Sequence, residues 1–497
     1  MQSQIESERV HFCKAFAQME QMAAWLQAET DGMSHAEVER GLRARGFDLM
    51  LMMYQAWLDV LSERERNEAE RMAKQPGEQV RSWRRQVETD FGRAHLDRLG
   101  HKYPGQDATF PLDRRLNLPD ELYSLEVRQH VALEAQRSSW QEVVETVGRC
   151  SGAHVPKRQA QELAQRAAQD FDAFYEQRMA PANDVLSSRA AEVASCDSKG
   201  VTMLESGLRE ETRKEAQEAK TEAVRGDPMA PKKLRKHDKR MAIVTANWEQ
   251  ERHPRTAADV LANLDRKPGE KKPKGPRPQN KRVSASVEKS QAQGISEMFD
   301  EMQRRNPMGE RPNVVLVDGE EHQIEQVKQQ AESRGMSIWI ILDLIHVIHY
   351  LWMAANALCG KDATRTETWV RIFLERLLTT RACYVAAAIR CQATRMKLSE
   401  EDRKPVDKCC DYLLKYQDHL HYAQYLAEGF PIATGVIEGA CRHLVQDRMG
   451  ITGARWDVVG AEAVLRLRAI RCSGDWDEYW ALHERLEFSR NHGSAAA

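Results

Sequence analysis

Three acidic residues of this chain stand where chemistry can be done. Asp197 follows the apolar run Glu192-Val-Ala-Ser-Cys, Asp318 follows Asn313-Val-Val-Leu-Val, and Glu438 lies in the first turn of a helix-like segment, Gly435-Val-Ile-Glu-Gly-Ala-Cys-Arg-His-Leu-Val-Gln-Asp-Arg-Met-Gly450. Oxygen donors gathered from two strand ends and a late helix suit a pair of hard divalent cations, Mg2+ or Mn2+. Such a pair activates water or a 3′-hydroxyl and stabilises the leaving oxygen at a phosphodiester. Clustered carboxylates repel one another, so the metal-free group is expected to hold at least one raised pKa. Each acid also has a plainer reading. Asp-Gly is a turn former, and Glu438 is spaced for an i,i+4 pair with Arg442 worth about 0.3 kcal/mol. Along the same late segment, Arg442, His443 and Arg448 are candidate phosphate neighbours, with Trp456 close behind.

The elements needed to position the acids are readable. Strands are expected at Val193–Cys196, Met241–Ala246, Arg282–Val287, Val314–Val317 and Ile338–Leu342, with helices over Ser290–Arg305 and His322–Arg334. From Asp343 to Gly429 the pattern is helical throughout, and from Gly435 to about Glu487 mostly so. Within 225–282 lies a basic, Pro-containing insert whose first cluster holds Lys232, Lys233, Arg235 and Lys236. Such a stretch is either a solvated linker or a track for a phosphate backbone.

Upstream, residues 1–85 read as helices: Ser34 with Glu37 makes a capping box before a short amphipathic helix, and Leu49–Leu58 is a second, buried one. Glycines and prolines punctuate residues 86–120, where a small β-hairpin is expected. Over 121–180, Ser124 caps one helix, Ser139 with Glu142 boxes a second, and Pro156 opens a third after Gly148 and Gly152. Helix, Gly-containing turn, helix is the spacing of a helix-turn-helix, and Lys157, Arg158 and Arg166 on the third helix suit groove or phosphate contact. The alternative is a plain helical hairpin with a solvated face.

At 497 residues, with 41% hydrophobic and 30% charged residues, several domains of a soluble protein are expected. The net charge of −2 decides nothing about nucleic acid. None of the 10 cysteines forms a CxxC pair, which argues against a zinc ribbon or a disulfide framework. The most apolar run, Met336–Leu358, is interrupted by Asp343, His346 and His349, and no secretory signal is evident, so a cytoplasmic protein is expected.

The order of these elements resembles a ribonuclease H-like α/β fold, in which the first and fourth strands are central neighbours and a late helix packs across them. Cys196-Asp-Ser-Lys-Gly200, Val314-Val-Leu-Val-Asp-Gly319, Ile341–Trp352, Gly435–Val445 and Gly453-Ala-Arg-Trp456 together resemble the ISKra-type insertion-sequence transposases, DDE enzymes related to the Mutator and ISL-type groups. The likeness covers roughly residues 85–490. It implies a catalytic core over 185–343, an all-helical insertion over 344–430 and C-terminal helices over 431–490. It also implies Asp197, Asp318 and Glu438 as a metal-binding triad for two ions, and DNA as partner: inverted-repeat ends and target, bound by a dimer or higher oligomer. Asp343-Leu-Ile-His346 resembles an acidic-x-x-His element of related families. Asp343 therefore competes with Asp318 as second aspartate, with His346 as an auxiliary, and Asp318 is preferred. Two departures stand out: the cysteine pairs that some relatives carry near 85–119 are absent, and Ser198-Lys199 replaces a more usual glycine-containing sequence. The expected function is DNA cleavage and strand transfer. The alternatives are a nuclease of the same fold without joining and a non-catalytic DNA-binding regulator.

Overall fold

Ser34 begins the longest element of the chain. Its side chain accepts the Glu37 N–H and Glu37 answers at the Ser34 N–H, so the helix starts as the sequence specifies. Helix α1 (Cys13–Ala28) precedes it, and α2 then runs unbroken over His35–Arg71. The two helices expected from the sequence are thus one. Neither Gly41 nor Gly46 takes a left-handed backbone, and no proline intervenes. The computed structural model describes residues 8–72, 76–178, 190–224, 238–264, 275–360, 362–451 and 453–493. They fall into two units, one of Met1–Tyr175 with Asp475–Ala497 and one of Glu176–Gly474.

In the first unit, β1 (Gln79–Thr89) and β2 (Gly92–Lys102) form an antiparallel hairpin. It begins earlier than the 86–120 expected, because β1 is rich in arginine and polar residues whose side chains stay exposed and hide the strand signal. Val87, Ala94 and Leu96 pack on Leu58 and Leu61 of α2. Three helices follow, α3 (Leu125–Ala135), α4 (Trp140–Cys150) and α5 (Lys157–Ala168), each packed on the other two. Ser124 caps α3, and Ser139 with Glu142 boxes α4. Gly152, in the turn before α5, lies against the hairpin turn. Its N–H bonds the Asp90 carbonyl at 2.7 Å, and a Cβ there would stand 2.3 Å from the Phe91 carbonyl oxygen.

The helix Trp476–His492 returns to this unit through buried charge. Arg128, 1% exposed, pairs with Glu121 at 2.8 Å and Glu487 at 3.1 Å, and meets His483 Nε2 at 2.9 Å. His483 Nδ1 in turn meets Asp170 at 2.6 Å.

The second unit is built on a five-stranded sheet: β3 (Ala190–Thr202), β4 (Lys239–Glu251), β5 (Gln279–Ser286), β6 (Asn313–Val317) and β7 (Ile338–Leu342), in the order β5-β4-β3-β6-β7. β3, β4 and β5 form an antiparallel meander, while β6 and β7 join β3 in parallel. Crossovers with helices make the parallel half: α6 (Gln291–Arg305) precedes β6, and α7 (Glu321–Ser333) links β6 to β7. All five expected strands are present, but β3 continues to Thr202, so Asp197 lies within a strand rather than at its end.

Four helices, α8 (Leu344–Cys359), α9 (Ala363–Thr379), α10 (Ala382–Arg395) and α11 (Glu400–Lys415), follow β7. The late helix, α12 (Gly435–Ala440), packs on β3 and β4 and widens into a π-helical stretch over Cys441–Gln446. α13 (Val458–Ser473) covers β5. Met336–Leu358 is divided between β7 and α8, and among the described residues no helix is long and apolar enough to cross a membrane. The cysteines are all free thiols.

The buried network makes the first unit sensitive to one truncation. Arg128→Ala removes the buried cation shared by Glu121, Glu487 and His483, leaving the two acids only Arg166 and Arg490 as cationic partners, and should lower that unit's stability by roughly 3 kcal/mol. Removing the exposed pair through Arg158→Ala should cost under about 1 kcal/mol. Denaturant unfolding compares the two, and equal small losses would refute the buried network's role.

Candidate active site

Register brings the two aspartates level. Val193 pairs with Val314 and Ser195 with Leu316 across the parallel β3–β6 junction; two residues further along each chain come Asp197 and Asp318. Adjacent strands stand about 4.8 Å apart, and residues level in register share a face. Val193, Ala194 and Val314–Val317 are fully buried, so a one-residue slip would drive polar neighbours into the core.

Asp318 sits where β6 stops. Gly319 turns the chain with φ 98°, and a Cβ there would lie 2.6 Å from Tyr412 Oη. Tyr412 Oη donates to the Asp318 carbonyl at 3.1 Å and Tyr416 Oη to the Gly319 carbonyl at 2.5 Å, so α11 and the residue after it clamp this turn. Asp318 Oδ1 accepts the Glu320 N–H at 3.1 Å. Burial raises the Asp318 pKa; the Glu320 N–H opposes this, and the neighbouring Asp197 charge adds to it.

Asp197 is half-buried. Its Oδ1 accepts the Ser198 N–H at 2.6 Å, and its Oδ2 accepts the Cys441 thiol at 3.2 Å. That thiol lies one turn beyond Glu438, so the bond ties the late helix to β3. Burial and the Asp197 charge push the Cys441 pKa up, with Glu438 adding to the effect and Lys199 opposing it. The Glu438 side chain is exposed, and no described residue bonds or pairs with its carboxylate; Arg442, its i+4 neighbour, turns instead to Asp447 at 3.7 Å.

Asp343 has a different character. Fully buried, it caps α8 by accepting the Ile345 N–H at 3.0 Å, accepts the Thr434 hydroxyl at 2.5 Å, and faces His346 Nδ1 at 3.0 Å. Both oxygens are therefore engaged in the interior, and Asp318, not Asp343, presents a half-exposed carboxylate beside Asp197. Thr434 accepts the Glu438 N–H at its carbonyl, 3.1 Å away, so Asp343 also fixes where α12 begins. The His346 side chain is 46% exposed. Its pKa is raised, first by the hydrogen bond to Asp343, then by the charges of Asp343, Asp318 and Glu438. The imidazole and all three acids thus share one electrostatic neighbourhood.

As a donor set for metal the site is chemically apt but not preassembled. Carboxylate oxygens of Asp197, Asp318 and Glu438 are the hard ligands that Mg2+ and Mn2+ take. Among the described residues, though, no three His, Cys, Asp or Glu side chains already stand at cage spacing.

The sequence-selected cations divide. Lys157 and Arg158 are exposed in the first turn of α5, Arg158 pairing with Glu162 at 3.1 Å, and Arg166 pairs with Glu121. Arg442 and His443 are exposed beside Asp447. Arg448 and Trp456 do not offer the DNA-facing surface expected of them. Arg448 is 1% exposed with its guanidinium 4.6 Å from the centre of the buried Trp456 ring, and the Trp456 backbone bonds Thr202 and Leu204 at the end of β3. Lys232, Lys233, Arg235 and Lys236 lie outside the described residues. Cys441 and Thr434 were missed, since each acts through tertiary contacts with no spacing signature.

Asp343→Asn should lower the His346 pKa toward that of free imidazole, followed by NMR of the ring. With the raised folded-state pKa, the stability this pair contributes is full below the unfolded imidazole pKa and is lost as pH rises through the folded one. An unmoved His346 titration in the variant would overturn the pairing. No protein-family model matches the chain, and no curated protein matches it significantly.

Proposed function

We propose that the chain is a DNA transposase of the DDE type, with a ribonuclease H-like core over 185–343 and the late helix, a helical insertion over 344–430, and a helix-turn-helix formed by α4 and α5. It would bind the inverted-repeat ends of its element, cut there and join the freed end to target DNA, working as a dimer or larger assembly. The observation that carries this reading is the level placement of Asp197 and Asp318 on central parallel strands, with Glu438 on a helix bonded to the same strand through Cys441. The strand order, with the first and fourth core strands adjacent, supports the fold assignment. Gly152 in a tight turn and the exposed Lys157 and Arg158 support the DNA-binding assignment.

Two divalent cations bound by Asp197, Asp318 and Glu438 would supply Lewis acidity and a lowered pKa for the attacking hydroxyl or water. The protein's own groups prepare for this. Burial and the Asp197 charge raise the Asp318 pKa, a cost that a bound cation would relieve. His346, anchored at Nδ1 by Asp343, is held toward its charged form beside the acids, where its outer N–H suits a phosphate oxygen. Two half-buried carboxylates side by side, with no Lys or Arg paired to either among the described residues, cost stability, which weighs against a purely binding descendant.

The test uses duplex element ends with wild type, Asp197→Asn, Asp318→Asn, Glu438→Gln and Asp343→Asn. Metal-dependent cleavage and joining should fall at least about 100-fold in the first three variants, a barrier increase of about 2.7 kcal/mol. Asp343→Asn should keep measurable cleavage. Mg2+ or Mn2+ should also raise the wild-type melting temperature and not that of the Asp197→Asn or Asp318→Asn protein. Cleavage without joining would favour a nuclease, and binding without cleavage a regulator.

A further inference from the structure

The ends of β3 and β4 and the chain before and after them frame a cleft of about 310 Å3 that the acidic site does not use. Its wall includes Ser198 and Glu320, whose N–H groups bond Asp197 and Asp318, so the cleft opens directly beside the two aspartates. Away from them the wall carries four cations, Arg209, Lys239, Arg240 and Lys289, beside the apolar Met241 and Ile243. A single carboxylate, Glu320, stands against them.

Two of the cations are open, while Lys289 pairs with Glu297 at 2.7 Å. Arg209 and Lys239 are exposed, and neither pairs with a carboxylate among the described residues. Arg240 is held by carbonyls, donating to Val287 at 2.7 Å and Gly207 at 3.1 Å. Its pKa is lowered by burial and then by the positive charge of Arg209, which puts the two guanidinium groups within electrostatic range. The one carboxylate on the rim, Glu320, accepts from Gln291 at 2.8 Å. Glu288 and Glu462 partly offset the Arg240 charge, whereas Arg209 and Lys239 are left open to a mobile anion.

We infer that this cleft binds the phosphodiester backbone of the DNA strand whose scissile phosphate lies at Asp197 and Asp318, with Arg209 and Lys239 each neutralising a phosphate. The inference rests on the transposase reading for the identity of the strand, but its charge chemistry stands alone. It gives the acids a directional substrate: the backbone leaves the site past Arg209 and the start of β4.

The test measures duplex affinity by fluorescence anisotropy over a series of salt concentrations, without divalent metal, for the full chain and for the Arg209→Ala/Lys239→Ala double variant. Losing two phosphate contacts should make the plot of log affinity against log salt shallower by about 2. Both side chains are exposed, so the melting temperature should not move. An unchanged slope overturns the inference. A mononucleotide that binds wild type and not the double variant, with the duplex slope unchanged, would make the cleft a free-nucleotide site and also overturn it. Cleavage of element ends by wild type is scored separately. A shallower slope in the double variant without wild-type cleavage sinks the transposase reading and leaves the backbone cleft, whereas cleavage with an unchanged slope does the reverse.

Discussion

The parallel pairing of β3 with β6 is the constraint on which the site depends. Backbone hydrogen bonds alone would tolerate other registers; the fully buried Val193, Ala194 and Val314–Val317 do not. Fixing those residues in the core sets the polar residues just beyond them side by side, so packing free energy is converted into the proximity of two like charges. Burial of Asp318 then raises its pKa, a local cost sustained by the surrounding core.

Asp343 does for the rest of the site what that register does for the aspartates. One buried carboxylate ends β7, starts α8, orients His346 and holds Thr434 at the threshold of α12. Its two oxygens are satisfied by groups from separate segments, and losing such bonds in the interior costs about 1–3 kcal/mol for each group left unpaired. On the proposed reading, the residue that competed with Asp318 for a place among the ligands serves by positioning.

Much of this was legible in the chain. Asn313–Val317 and Ile338–Leu342 read as strands because short apolar runs bounded by turn residues leave little choice, and the capping boxes at Ser34 and Ser139 mark their helices. β1 was placed too late because its exposed arginines mask alternation. Arg448 misled for a geometric reason. In a regular α-helix it would lie about 80° from Glu438 around the axis. The π-helical stretch over Cys441–Gln446 absorbs about one extra residue and rotates it toward the far side, where it meets Trp456. A single widened turn inside a helix leaves no trace in hydrophobic period.

The Cys441–Asp197 bond joins positions 244 residues apart in sequence. On a ribosome making about 5–20 residues per second, that separation is about 12–50 s of synthesis. Through that interval the nascent chain carries the first aspartate but lacks the helix that brings Glu438 to it. A chain released early would have strands and thiols but no complete acid cluster. The spread of the three acids along the chain thus keeps them from meeting until synthesis has passed residue 438.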